Sequence, residues 1–192
     1  MRLAAFACVA IMMVGASCQP ASGPPTDMTS GATGKSWSVF LVCDPAWLKR
    51  EAVDDLIRLY NAYLSVVVAA NENHVPLWPF RDEEPRRASA IDPSKGRQSC
   101  DALKLEPRDG PFVIVTTTPP DSIAPSTPRV SLGFGNRRAD EITIALMALS
   151  ERVIDERPSR VAAGSTEWWR TWNRISRWMN GRFPGVTMSV QP

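Results

Sequence analysis

A chain of 192 residues, 44% of them hydrophobic, is long enough to bury a sizeable core and short enough to be one domain by default. Its 22 basic and 20 acidic side chains leave a net charge of +2, so bulk electrostatics argue neither for a nucleic-acid binder nor for a polyanion partner, no nucleic acid is expected, and any charge signal is local. With His74 the only histidine, a zinc site would lack imidazoles and a Ser-His-Asp triad would rest on a residue between Asn73 and Val75 in a loop; no metal and no cofactor is expected.

In chain order the first feature is an export signal. Arg2 precedes the apolar run Leu3 to Val14, and small residues lead into Cys18. This describes a secretory signal peptide over residues 1–18, whose apolar core is too short for the roughly 20 residues of a membrane span. Gly15-Ala16-Ser17-Cys18 resembles the lipobox of bacterial lipoproteins, although Gly15 stands where a branched apolar residue is usual. The resemblance implies acylation of Cys18 and a protein anchored in the bacterial cell envelope. Cleavage after Ala16, with Val14 and Ala16 as the small recognition residues, would instead leave a soluble periplasmic protein. Residues 19–35, rich in Pro, Gly, Ser and Thr, read as a flexible tether. Gly31 to Ser36 is similar to a phosphate-binding loop, but Thr29 replaces the first glycine and the strand follows the motif instead of preceding it.

Trp37 to Cys43 is an apolar, β-branched run that predicts a buried strand. A helix is expected directly after it: Asp44 suits the N-cap, Pro45 the first helical position, and Leu48, Ala52, Leu56, Leu59, Tyr60 and Tyr63 recur at spacings of three and four. Leu64 to Ala70, with three consecutive valines, predicts a second buried strand. From Asn71 to Gly110 prolines at 76, 79, 85, 93 and 107 forbid a long regular element, with a short helix expected over Gln98 to Leu105. Asp82, Glu83 and Glu84 lie among Arg81, Arg86 and Arg87, a solvated mixed-charge loop. Phe112 to Thr118 and Arg129 to Phe134 read as two strands of a hairpin. A helix with Ile142, Ala145, Leu146, Leu149 and Val153 on one face then begins near Asp140 and ends before Pro158.

This order resembles the thioredoxin fold. In that family the first strand runs into a Cys-x-Pro-x turn at a helix N-terminus, and the matching place here reads Cys43-Asp44-Pro45-Ala46. The family also sets a cis-proline before its third strand, and Gly110-Pro111 occupies that place. The resemblance covers Trp37 to about Arg157 and implies an α/β domain over residues 36–157, a central mixed sheet flanked by helices. Ala46 departs from the family at the second active-site cysteine, so the usual dithiol cycle is not expected. A helix N-terminus would favour a Cys43 thiolate, whereas the neighbouring Asp44 carboxylate would oppose it. Two readings of Cys43 follow. If Cys8 leaves with the signal and Cys18 carries lipid, Cys43 and Cys100 remain as one pair in a compartment where disulfides persist. That pair is either a structural bridge or a cycling one, with Cys100 as resolving cysteine and Pro111 shaping the thiol's pocket.

Residues 158–192 are expected to add a C-terminal amphipathic helix and a tail. Over Thr166 to Arg182, Trp168, Trp172, Ile175 and Met179 share one helical face, Arg170, Arg174 and Arg177 the opposite one, with Trp169 and Trp178 at the flanks. The apolar face either packs on its own domain or meets a membrane or a partner groove, for which the tryptophans and arginines would supply contact and charge. Two functions are in view. One is a non-enzymatic, lipid-anchored accessory or binding protein of the cell envelope, whose partners are the membrane and an envelope protein. The other is a thiol-dependent redox enzyme or sensor using Cys43.

Overall fold

Strand β1, Trp37–Val42, is an inner strand of the sheet, and every residue after Trp37 in it is buried. The structure, a computed structural model, describes residues 35–70, 72–78 and 93–192. The expected signal peptide, Cys18, most of the tether and the charged loop from Arg81 to Arg87 lie outside these residues. Residues Thr33–Pro192 form one compact unit.

The turn after β1 differs from the helix expected there. Asp44 does cap it, its Oδ1 accepting from the Ala46 N–H at 2.8 Å, with Pro45 at the first position. It is a 3-10 turn of four residues, Pro45–Leu48, closed off at Lys49, whose backbone is extended. A second 3-10 turn, Arg50–Ala52, leads into helix α1, Val53–Ala70. Helix α1 absorbs Leu64 to Ala70, which was expected as a strand. Tyr63, Val66, Val67 and Ala70 are buried while Val68 is 80% exposed, so burial keeps the helical spacing instead of alternating. Packing of α1 against a later helix outweighs the strand preference of three valines.

The second strand, β2, is Asn73–Trp78, inside the segment expected to be irregular. It lies parallel to β1, and its register shifts between Val39↔Val75 and Leu41↔Trp78. The residue gained on β2 sits beside Pro76, and β2 is an edge strand, the two places where a proline without an N–H is tolerated. Helix α2 spans Pro93–Leu103 and ends with Lys104 in the left-handed region and Leu105 donating to the Cys100 carbonyl at 2.9 Å, a glycine-free Schellman ending.

Strands β3, Pro111–Thr116, and β4, Arg129–Gly133, form the expected antiparallel hairpin. Helix α3, Ala139–Glu156, ends at Arg157, whose left-handed backbone precedes Pro158. Helix α4 covers Thr166–Arg182, as the sequence predicts, with Ser165 as N-cap accepting from Trp168 N–H at 3.2 Å. The tail then returns as a fifth strand, β5, Thr187–Gln191, antiparallel to β4.

The fold is thus mixed α/β, a sheet in the order β2-β1-β3-β4-β5 in which β1 and β2 are parallel and the other pairs antiparallel. One face carries the large core, where Phe40, Val42, Val113, Val115, Val130 and Leu132 meet α1, α3 and α4. On the other face Val39, Leu41, Phe112 and Ile114 meet α2. Side chains alternate along β1 and β3 so that both faces are apolar, as expected of central strands covered on both sides.

Candidate functional site

Cys43 follows the last residue of β1, and Cys100 lies in the last turns of α2. Their sulfurs are bonded, with the Cα atoms 5.7 Å apart. The bridge ties the end of the central strand to the helix covering it, and both cysteines belong to the apolar cluster of Val39, Leu41, Leu103, Phe112 and Ile114. Cys43 is 6% exposed and Cys100 3%. A void in this layer, between Val39, Leu41, Leu103, Ile114 and Ile123, measures about 30 Å³, room for about one water.

The expected pocket of a reactive thiol is met only in part. Pro111 pairs with Val42, so the proline is a cross-strand neighbour of the residue before Cys43. The helix N-terminus expected to favour a thiolate is absent, because a four-residue 3-10 turn stands there and α1 begins only at Val53. Aligned peptide dipoles over so short a turn supply little of the field that lowers a thiol pKa. Asp44 directs its carboxylate to Ala46 N–H, the donor nearest to hand.

The second candidate region, α4, divides by face. Trp168 and Trp172 are each 1% exposed, and Ile175 and Met179 are fully buried in the main core. The apolar face is therefore spent on the protein's own domain, and neither Trp168 nor Trp172 has surface left for a membrane or a partner. Trp169 and Trp178 are half-buried at the flanks, Trp169 edge-on to Trp168 at 4.5 Å and Trp178 edge-on to Phe183 at 6.1 Å. The Arg152 guanidinium lies 5.6 Å from the Trp178 ring centre, within cation-π range.

Arg170, Arg174 and Arg177 are exposed, as expected. Arg174 pairs with Glu156 at 2.9 Å and with Glu167 at 3.5 Å, and Arg170 reaches Glu167 at 3.6 Å. Among the described residues Arg177 donates to the Asn173 carbonyl alone, at 3.4 Å. Much of this basic face is thereby neutralised locally. Among the described residues no helix is long and apolar enough to cross a membrane, and no cluster of His, Cys, Asp or Glu is placed to hold a metal. His74 falls within β2.

Two charged residues that the sequence did not single out lose solvent, Glu72 in part and Arg129 almost wholly. Glu72 joins α1 to β2, its N–H donating to the Val67 carbonyl at 3.2 Å. Burial pushes its carboxyl up to about 7 against the pull of a hydrogen bond from Ser36, and its Oε2 has no partner among the described residues. Arg129, the first residue of β4, is 7% exposed. Nothing in the local sequence marks either, since an acid after a helix and an arginine opening a strand are ordinarily solvated. The return of β2 onto β1 covers the first, and the pairing of β4 with β5 and the 117–128 loop covers the second. Comparison of the chain with protein-family models, curated proteins and solved structures gave no match.

Proposed function

We propose that this chain is an exported, lipid-anchored accessory or binding protein of the bacterial cell envelope, built on a degenerate thioredoxin-like domain that performs no thiol chemistry. The observation that carries the reading is the Cys43–Cys100 disulfide. It occupies the one cysteine of the Cys-x-Pro-x turn, and Ala46 stands at the position that would have to resolve a mixed disulfide. A buried disulfide also fits an oxidising compartment outside the cytoplasm, in agreement with the signal-like residues 1–18 and Cys18. The thioredoxin-like assignment is supported by a parallel β1-α1-β2 unit followed by an antiparallel β3-β4 hairpin and α3, with β1 and β3 adjacent. Lipid at Cys18 and a tether over 19–35 would hold the domain near the membrane, leaving Arg177, which has no ion pair among the described residues, and the outer edges of the paired Arg170 and Arg174 to meet anionic headgroups or an acidic envelope partner.

A second reading has one observation in its favour. Pro111 lies across from Val42, beside Cys43, as a proline shaping a thiol site would. On that reading the bridge is the oxidised state of a redox enzyme or sensor, with Cys100 the resolving cysteine.

Intact mass of the protein from its native envelope, with thiols alkylated before and after reduction, separates the two. The binding-protein reading expects a lipid mass on Cys18 and two alkylatable thiols that appear only under strong reductant. A Cys43 alkylated rapidly at neutral pH, or a Cys43→Ser variant that stays folded and loses a measurable peroxide or disulfide turnover, would overturn it in favour of the redox reading. A mature chain beginning at Ser17 without lipid would remove the anchor.

A further inference from the structure

The sheet face that α2 covers on β1 and β3 continues over β4 and β5 as a polar groove of about 280 Å³. At one end Leu105 and Phe112 line it; at the other, Ser131 of β4 and Ser189 of β5 stand directly across from each other in register. Gly133 adds no side chain to the floor between them. Lys104, exposed at the end of α2, and the buried Arg129 are its cations, and among the described residues no Asp or Glu lines it.

Arg129 is the unusual member. Its Nε donates to the Ser131 hydroxyl at 3.2 Å, and its Nη1 to the Pro125 and Thr127 carbonyls at 2.7 and 3.3 Å. These acceptors are all neutral. No salt bridge reaches Arg129, and Nη2 has no hydrogen-bond partner among the described residues. An arginine is ordinarily buried only against a carboxylate or phosphate, because the guanidinium stays charged and its desolvation is otherwise uncompensated. The carbonyl bonds explain how the side chain is held in place. They do not supply the missing negative charge.

We propose that the groove bounded by Arg129, Lys104, Ser131 and Ser189 binds a small molecule that carries an oxyanion, carboxylate or phosphate, joined to a short apolar body. The oxyanion takes the free guanidinium edge and the serine hydroxyls, a charge-assisted set of donors. The apolar body lies toward Phe112 and Leu105. The volume suits a ligand of metabolite size, and the site is on the opposite half of the sheet from the edge strand β2.

The test uses the full-length chain, titrated with benzoate and with phenyl phosphate while backbone amide resonances are followed, and with benzyl alcohol as the neutral control. The expected result is saturable shifts at Ser131, Gly133 and Ser189 with at least one anion, at a dissociation constant of roughly 1 mM or tighter, and none with the alcohol. Which anion binds more tightly tells carboxylate from phosphate. Because Arg129→Gln could loosen the loop that Arg129 holds, the decisive variant is Ser189→Asp, which places a carboxylate opposite Ser131 on the exposed strand without touching those bonds. It should keep the melting temperature and weaken anion binding at least tenfold. Absence of shifts with both anions, equal shifts with benzyl alcohol, or unchanged binding to a folded Ser189→Asp variant would each overturn the proposal.

Discussion

The side-chain amide of Asn180 closes a ring with the backbone of Met188. Its Nδ2 donates to the Met188 carbonyl at 2.9 Å, and its Oδ1 accepts from the Met188 N–H at 2.7 Å. Ser176 adds a hydroxyl bond to the same carbonyl at 2.6 Å. Strand β5 is the edge of the sheet, and an edge strand leaves outward backbone groups open to pairing with other chains. Helix α4 satisfies those groups at the centre of β5, so the helix both closes the core and guards the edge. Asn180→Ala should cost about 1 to 3 kcal/mol, the range for leaving a partly buried polar pair unsatisfied. Amide exchange at Met188 should accelerate far more than at the centre of β3. Unchanged melting and exchange in the variant would show that β5 holds without this clamp.

The disulfide closes a sequence separation of 57 residues that includes α1, β2 and most of α2. In the chain-entropy model a loop of that length is worth about 4 kcal/mol. Replacing both cysteines by serine, or reducing the bridge, should lower the stability from urea unfolding by that amount and by the same amount as each other. A loss below about 1 kcal/mol would argue that the bridge spans a segment already ordered in the unfolded ensemble.

Glu72 sets a pH dependence whose sign follows from its raised carboxyl. In the unfolded chain an ordinary glutamate ionises near pH 4.5, while in the fold this one stays protonated until about 7. Between these values the folded state binds more protons than the unfolded state, so stability falls as pH rises through the window and levels off above it. The shift corresponds to about 3 kcal/mol at most, since a pKa unit is worth about 1.4 kcal/mol. Glu72→Gln should flatten the slope between pH 5 and 7 and be the more stable chain at pH 8, with urea unfolding at each pH as the readout. A wild-type slope that survives the substitution would place its origin elsewhere.

Gly110 is fixed by two separate constraints. Its backbone is at φ +84°, and a Cβ there would come within 2.3 Å of the Gly135 carbonyl oxygen. The contact is backbone to backbone, joining the entry of β3 to the exit of β4, so no side chain can swing aside. Gly110→Ala should destabilise by about 3 kcal/mol or more, at the high end for a single substitution. The control is Gly181→Ala in α4, where a Cβ meets nothing within 4 Å; it should be neutral or stabilising. A Gly110→Ala chain that melts like wild type would mean that β3 and β4 can separate at this end without cost.

Where a periodicity was long and its residues unambiguous, the chain wrote its own structure. Helix α4 follows from a stripe, Trp168 to Met179, repeating over about three turns, the β3-β4 hairpin from β-branched runs around a proline-rich turn, and the end of α3 from Pro158. The valines at 66–68 show where such evidence stops. Val, Ile and Thr favour strands only when a pleated surface awaits them, and here the face of α3 does instead. The strand was displaced to Asn73–Trp78, where Pro76 hid it. Strand β5 was visible in principle, since Met188 and Val190 alternate with Thr187, Ser189 and Gln191, but five residues make a weak signal.

The sequence by itself determined the α/β alternation, the amphipathic faces and the fact that Cys43 and Cys100 are the pair left to the folded region once the signal-like segment and Cys18 are set aside. Each is a property of residues near one another along the chain or of a simple count. Only the tertiary structure decided that α4 buries Trp168 and Trp172, that Glu72 loses part and Arg129 nearly all of its water, and that a polar groove opens between β4 and α2. Burial of a charged group is not encoded in its neighbours in sequence; it depends on which distant surfaces close over it, and that is settled only when β2 returns to β1 and β5 to β4.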